Sequence, residues 1–267
     1  MPTDPPSATG EHASLMLHDF PRIHAVTNTA TVGRKEFLKT AERVMISLGA
    51  RGAVHLRTSS TSGRRFHELA RALAEFQNAT GCWLIVNDRV DIAAAVGAKG
   101  IQLASNSLRV PEARAVAPDI PAGISVHSVE EALEAEESGA SWCVAGTVFE
   151  TPTHPSSPEA RVPFIEEVAD AVSIPVIAIG GIQPSHVAAL RDAGAYGIAT
   201  IRGVDWERRV SMLDTDPAPG KTRLAGSPHR TSEEAIIRYI SIYDWHSGGE
   251  RGHHADGKRG SPGYSAE

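Results

Sequence analysis

The stretch "VIAIGGIQPSHVAALRDAGAYGIATIRGV", Val176 to Val204, joins an apolar run, two glycines, a helix-period segment and a second apolar run. Neither run alternates polar with apolar residues, so each suits a strand covered on both faces, as in a parallel sheet. Gly194, in "DAGAYG", stands where a helix would end in the left-handed conformation that glycine adopts without a Cβ penalty. Gly180 and Gly181 close the first run. A glycine pair there serves a tight turn, and it also lets the backbone approach an anion.

The same unit repeats along the chain. Strands are expected at "IHAVTN" (23–28), "GAVHLR" (52–57), "WLIVN" (83–87), "GIQL" (100–103), "GISV" (123–126), "WCVAG" (142–146), "PVIAI" (175–179) and "GIATI" (197–201). Helix-period segments fall at 37–48, 66–76, 129–137, 165–171 and 186–192, and a last one is expected at 232–243. The joints "SLGARGAV", "AVGAKGIQL", "ESGASWCV" and "DAGAYGIA" each put a helix-ending glycine shortly before the next strand. Eight such units without a reversal predict an α/β fold, a closed (β/α)8 TIM barrel, with an open doubly wound sheet as the alternative.

A parallel barrel carries its ligand site on the face where the strands end, with phosphate commonly held after the seventh and eighth strands. Gly180-Gly181 and Ile201, Arg202 and Gly203 occupy those two places, so their amides are expected to cradle a phosphate. The other strand ends collect polar residues: Asn28, His55, Arg57, Asn87, Asp88, Gln102, His127, Ser128 and Thr147, with Thr151, Thr153 and His154 in the loop after the sixth strand. Asp88 and Ser128 also suit helix N-caps. An imidazole at the His127 position would exchange protons near neutral pH, and the Arg57 fork suits a carboxylate or phosphate.

Composition narrows the class further. At 267 residues and 41% apolar content the chain is long enough for one barrel, which needs about 250. A net charge of −6 without long single-sign runs gives no nucleic-acid footprint. No stretch of about 18 apolar residues occurs, so no membrane partner is expected. The N-terminus lacks a basic start and an apolar core, which makes a cytoplasmic protein the expectation. Cys82 and Cys143 lie in apolar runs and imply no disulfide framework. Residues 1–19 and 247–267 read as disordered tails flanking a barrel domain at 20–246. The segment 205–230 carries no readable motif, and His253-His254 in the tail reads as solvated.

The stretches "LIVNDRVDIAAAVGAKGIQL", "GISVHSVEEALEAEESGASWCVAGTVFETPT" and "PVIAIGGIQPSHVAALRDAGAYGIATIRGV" resemble the thiamine phosphate synthase family and its relative, the thiazole tautomerase of thiamine biosynthesis. The likeness runs from Ile23 to Val204. It implies a (β/α)8 barrel and a thiazole phosphate substrate. The synthase joins a pyrimidine diphosphate to that thiazole, and its pattern after the second strand is Gln-x-Arg with a lysine two residues on. Here His55, Arg57 and Ser59 stand in those places. After the fourth strand the synthase has an acidic Mg²⁺ ligand, in a pattern like Gln/His-Leu-Gly-Gln-x-Asp. In "QLASNS", Ala104 replaces the glycine and Ser107 the carboxylate, leaving Asp88 of the metal pair. The synthase's Thr-Lys, whose lysine meets the diphosphate, becomes Thr153-His154.

These losses remove groups that stabilise a departing pyrophosphate. His-x-Arg and "SVHS" look instead like the tautomerase branch, in which a histidine matching His127 moves the proton. The expected activity is therefore an isomerase reaction, a metal-independent aromatisation of a carboxythiazole phosphate, with no cofactor and with Arg57 on the carboxylate. His55, Asn87, Asp88, Gln102, Thr151, Thr153 and His154 are expected around the substrate. Two alternatives stay open. One is a thiamine phosphate synthase, which would use Mg²⁺ and recruit other diphosphate contacts such as Arg64-Arg65 or His154. The other is a catalytically silent phosphate-binding regulatory barrel. A homo-oligomer is a possible state under each.

Overall fold

The computed structural model describes residues 20–104, 107–149, 161–204 and 206. The expected helix at 232–243, the segment 205–230 except Trp206, both tails and Thr151, Thr153 and His154 lie outside the described residues. Eight parallel strands close into a barrel in chain order: β1 (Ile23–Val26), β2 (Gly52–Leu56), β3 (Trp83–Asn87), β4 (Gly100–Leu103), β5 (Ala122–Val126), β6 (Trp142–Gly146), β7 (Val176–Ile179) and β8 (Gly197–Thr200). Closure is made by β1 against β8, in the register Ile23↔Ile198. The open doubly wound sheet is thereby excluded.

Around the strands lie α1 (Thr29–Val32), α2 (Phe37–Leu48), α3 (Gly63–Thr80), α4 (Val90–Val96), α5 (Val110–Val116), α6 (Val129–Glu137), α7 (Val162–Ala171) and α8 (Val187–Asp192). The longest, α3, shows why these segments are helices. Phe66, Leu69, Ala70, Leu73, Ala74 and Gln77 fall on one face and are buried. Ser62 caps its start by accepting from the Arg65 amide, and Gly81 ends it at φ 77°. Fully burying a leucine such as Leu69 or Leu73 contributes about 2 kcal/mol. Buried Gln77 ties the helix to the sheet: its amide donates to the Gly97 carbonyl at 3.0 Å and accepts from Leu84 and Lys99 at 2.9 and 3.1 Å.

Alternation along the strands separates two cores. Val54, Leu56, Leu84, Val86, Ile101 and Leu103 face the helices, whereas Ala53, Ile85, Trp142, Val144, Ile177 and Ala199 fill the barrel. The N-terminal end is plugged by Phe20, whose ring lies 4.9 Å from Trp142, 5.6 Å from Trp83 and 5.8 Å from Tyr196. Gly123 and Gly100 leave the space that the Trp142 indole fills. With that end sealed, access is from the C-terminal mouth.

Some boundaries differ from the sequence reading. The helix expected at 186–192 is a 3₁₀ turn, Pro184–His186, followed by α8. The four-residue α1 and the seven-residue α5 are too short to declare a helical period. Asp88 does not cap α4, whose N-cap position is Arg89. It takes a left-handed φ of 61°, and its carboxylate accepts from the Ala104 amide at 3.0 Å, clasping the end of β3 to that of β4. Ser128 does cap α6, accepting from Glu131 at 3.2 Å.

Candidate active site

Because all eight strands are parallel, Arg57, Asp88, His127 and Gly180 sit at the same end of the barrel. The inward parity of the strands takes in His24 on β1, His55 on β2, Asn87 on β3, Gln102 on β4 and Ser125 on β5. It reaches Arg57 and His127 one residue beyond their strands.

His127 is held on three sides. Its amide donates to the Glu131 carboxylate at 2.7 Å, its carbonyl accepts from Arg161 at 3.3 Å, and its ring Nδ1 lies 2.6 Å from the Gly146 carbonyl. A carbonyl only accepts, so Nδ1 carries a proton, and in the neutral tautomer the lone pair falls on Nε2. The ring is thus anchored at one nitrogen, and the other carries no hydrogen bond to a described residue.

Arg57 is positioned by a residue the sequence did not single out. The buried Thr27 hydroxyl accepts from the Arg57 amide and donates to its carbonyl, both at 2.9 Å. Thr29 extends the clasp, accepting from the Ser59 amide at 3.1 Å and bonding the Ser59 hydroxyl at 3.0 Å. The Arg57 guanidinium is exposed and forms no ion pair with a described residue. Beside these loops lies a cavity of about 400 Å³ lined by Thr29, Arg34, Lys35, Ser60, Thr61 and Arg65 among others. Arg34, Lys35 and Arg65 make its lining cationic, though Arg65 also meets Glu68 at 3.4 Å.

Below the mouth the barrel is polar. His24 Nε2 bonds the Pro21 carbonyl at 2.9 Å, and its Nδ1 lies 2.8 Å from His55 Nε2. Burial lowers the His24 pKa from 6.5 to about 4, against the raising effect of the Pro21 carbonyl. Burial and the neighbouring His24 hold His55 well below its ordinary value too, against the raising effect of Asn87. Both rings are neutral at physiological pH. Gln102 accepts from the Trp142 indole at 2.8 Å and donates to Ser125 at 3.3 Å. Buried Cys82 and Cys143 are pushed up to about 12 by desolvation, so neither is a ready nucleophile.

The residues of the expected phosphate cradle follow β7 and β8. Gly180 and Gly181 have φ of 109° and 61°. Gly180 is required by packing as well, since a Cβ there would press on Thr147. Of the amides after β8, that of Gly203 is engaged by the Thr200 hydroxyl at 2.9 Å. Ile201 and Arg202 follow the end of β8 in a bend, Arg202 exposed. The residues missed by sequence reading are His24, Thr27, Arg34 and Lys35. His24 and Thr27 sit in an apolar strand context that hides them, while "GRK" at 33–35 was a readable basic signal.

The barrel and its mouth define an α/β-barrel protein whose ligand site is built from strand ends and the loops that follow them. A family model described as thiamine monophosphate synthase matches residues 23–204, and the chain belongs to that family, which places it among the enzymes of thiamine biosynthesis. A thiamine-phosphate synthase of Pyrococcus abyssi is 38% identical over 156 residues, 58% of this chain and 75% of the relative. A putative thiamine-phosphate synthase 2 of Aquifex aeolicus is 34% identical over 183 residues, 68% of this chain and 97% of the relative. The solved thiamine phosphate pyrophosphorylase of Pyrococcus furiosus superposes with a TM-score of 0.67 at 26% identity, covering 85% of this chain and 96% of its own. These relatives carry the synthase name, and so favour the synthase over the tautomerase that the altered loops suggested.

Proposed function

We propose that the protein is a transferase that joins a pyrimidine diphosphate to a thiazole phosphate. The synthase relatives support this reading, and the observation that carries it is the cationic cavity beside Arg57. In the transfer, a bond forms from the thiazole nitrogen to the methylene carbon of the pyrimidine, and the bond from that carbon to the diphosphate oxygen breaks. Charge therefore develops on the departing diphosphate, where fixed cations stabilise the transition state most. Ser59 and Ser107 cannot supply that charge, whereas Arg57 with Arg34, Lys35 and Arg65 can. Gly180 and Gly181 are then left for the thiazole phosphate.

The described residues do not form the paired carboxylates of the family pattern. Asp88 has an oxygen on the Ala104 amide, Ser107 is neutral, and no group of three or more metal-ligating side chains occurs among the described residues. In this reading the charge of the diphosphate is met by Arg57, Arg34, Lys35 and Arg65.

A second reading, the tautomerase, is favoured by one feature, the lone pair on His127 Nε2. The deciding experiment incubates the full chain with pyrimidine diphosphate and thiazole phosphate, and separately with carboxythiazole phosphate, each with and without Mg²⁺. Thiamine phosphate with stoichiometric pyrophosphate is the expected result. Isomerised carboxythiazole phosphate without pyrophosphate would establish the second reading, and no turnover in either assay would leave a binding barrel.

A further inference from the structure

We propose that Arg161 is an anion-binding residue of the mouth, its guanidinium supplying charge to a ligand phosphate on the side where the Gly180-Gly181 turn supplies hydrogen bonds. The choice of phosphate rests on the reading of that turn as the phosphate end of the site; the placing of the cation does not.

Arg161 stands at the end of the loop after β6, one residue before α7. Its guanidinium is held twice. Nη2 donates to the His127 carbonyl at 3.3 Å in a solvent-exposed contact, and the guanidinium carbon lies 4.1 Å from the Phe164 ring centroid. A guanidinium has five N–H donors, and one carbonyl takes up a single donor and none of the charge. Glu131, the acid that shares His127 with it, accepts instead from the His127 amide at 2.7 Å, and Arg161 forms no ion pair with a described residue. The half-buried fork is therefore fixed at the rim with its charge unmatched among the described residues.

Val148 ties this cation to the glycine turn. It accepts from the Arg161 amide at 2.8 Å and donates to the Ile179 carbonyl at 3.0 Å, while the next amide, of Phe149, donates to Gly180 at 3.1 Å. In a closed ring of eight strands, β5 and β6 lie opposite β1 and β2, whose loops carry Arg34, Lys35 and Arg57. Arg161 is thus across the mouth from those cations. The Gly180 and Gly181 amides bring no net charge, so a phosphate at the turn gains from a fixed cation beside it. Arg202, after β8, is exposed and has no comparable anchor among the described residues. A fork already held by His127 and Phe164 loses less freedom on binding than a free one.

The test titrates inorganic phosphate into ¹⁵N-labelled full-length protein at neutral pH and low salt. The Arg161 Nε–H signal, identified by its loss in Arg161→Gln, should move with the amide signals of Gly180 and Gly181 on one saturation curve. Signals read residue by residue separate this anion from one bound beside Arg57. Arg161→Gln still offers a donor to the His127 carbonyl, so its dissociation constant at the turn should rise about tenfold with the His127 ring signals in place. Arg161→Lys, which keeps the charge but not the fork, should recover part of the loss. Glycine signals that move while the Arg161 signal stays still, or native affinity in Arg161→Gln, overturn the proposal and leave the phosphate turn standing. An Arg161 response without a glycine response keeps the cation and removes the turn, and no response from either removes both. Weaker binding together with displaced His127 ring signals would make Arg161 a brace for His127 and overturn its role as a ligand contact. Should Arg161→Gln not fold, Arg161→Lys identifies the signal and the native titration decides.

Discussion

At the scale of single residues, the mouth is organised by small groups that hold larger ones. His127 is anchored by the Gly146 carbonyl, and Arg57 by the hydroxyl of Thr27. Thr27→Val keeps the shape but leaves the Arg57 amide and carbonyl facing a methyl, so it should cost about 2 kcal/mol and weaken diphosphate binding. Urea denaturation and calorimetry with pyrophosphate would measure both, and unchanged pyrophosphate affinity would separate Thr27 from the site. His127→Asn removes the proton-exchanging nitrogen. Under the transferase reading the joining rate should fall less than about tenfold, whereas a proton-transfer reaction at this residue should lose about 10²- to 10⁴-fold. Gly181→Val, which the sequence alone offers as a test of the phosphate cradle, carries a backbone penalty of about 1–2 kcal/mol at φ 61°, because a β-branched residue is forced into the left-handed region. Its phosphate affinity has to be compared at matched folded fraction.

At the scale of elements, the strands were legible because a barrel strand buried on both faces leaves a continuous apolar run, and all eight were read within two residues of their bounds. Their helical partners were legible where the amphipathic face was long, as in α2 and α3. They were not where the helix was a turn or two, as in α1 and α5. Strand-end residues such as His127 could be read as candidate site residues because a polar group after an apolar run has few structural uses. His24 lies inside such a run, and only the closed barrel shows that it shares one interior with Gln102 and Trp142. Gly123 illustrates the limit. In sequence it opens "GISV", yet its reason is the indole of Trp142 pressed against its Cα on the adjacent strand. Gly123→Ala should displace that indole, break its 2.8 Å bond to Gln102 and cost about 3 kcal/mol, visible as a lowered midpoint in denaturant and a shifted tryptophan emission.

At the scale of the whole molecule, the barrel seals two uncharged histidines in its centre, and this couples the entire fold to pH. In the unfolded chain each histidine titrates near its ordinary value of about 6.5. In the fold His24 is lowered to about 4 and His55 well below 6.5, because burial penalises the imidazolium. Between these values the unfolded state binds more protons than the folded one, so stability rises with pH across that window. The stabilisation is fully present above about pH 6.5 and is lost as the pH falls toward 4. For His24 the loss is on the order of 3 kcal/mol, with a further loss from His55. Asp91, lowered by the Arg89 guanidinium and by the amides of Ile92 and Asp91, and Glu112, lowered by the Arg109 amide and guanidinium, lose their contributions at more acid pH, as it falls from the ordinary carboxylate values through their lowered ones. Urea midpoints measured from pH 8 to pH 4.5 should therefore fall steeply below about pH 6.5 for the native chain, with up to two protons taken up on unfolding. A His24→Phe/His55→Gln double variant is less stable near pH 8, where the native pair is satisfied, but its profile should be nearly flat over the same range. Parallel profiles for the two proteins would mean that the histidines are charged in the fold, and the proton pattern beneath the mouth would have to be redrawn.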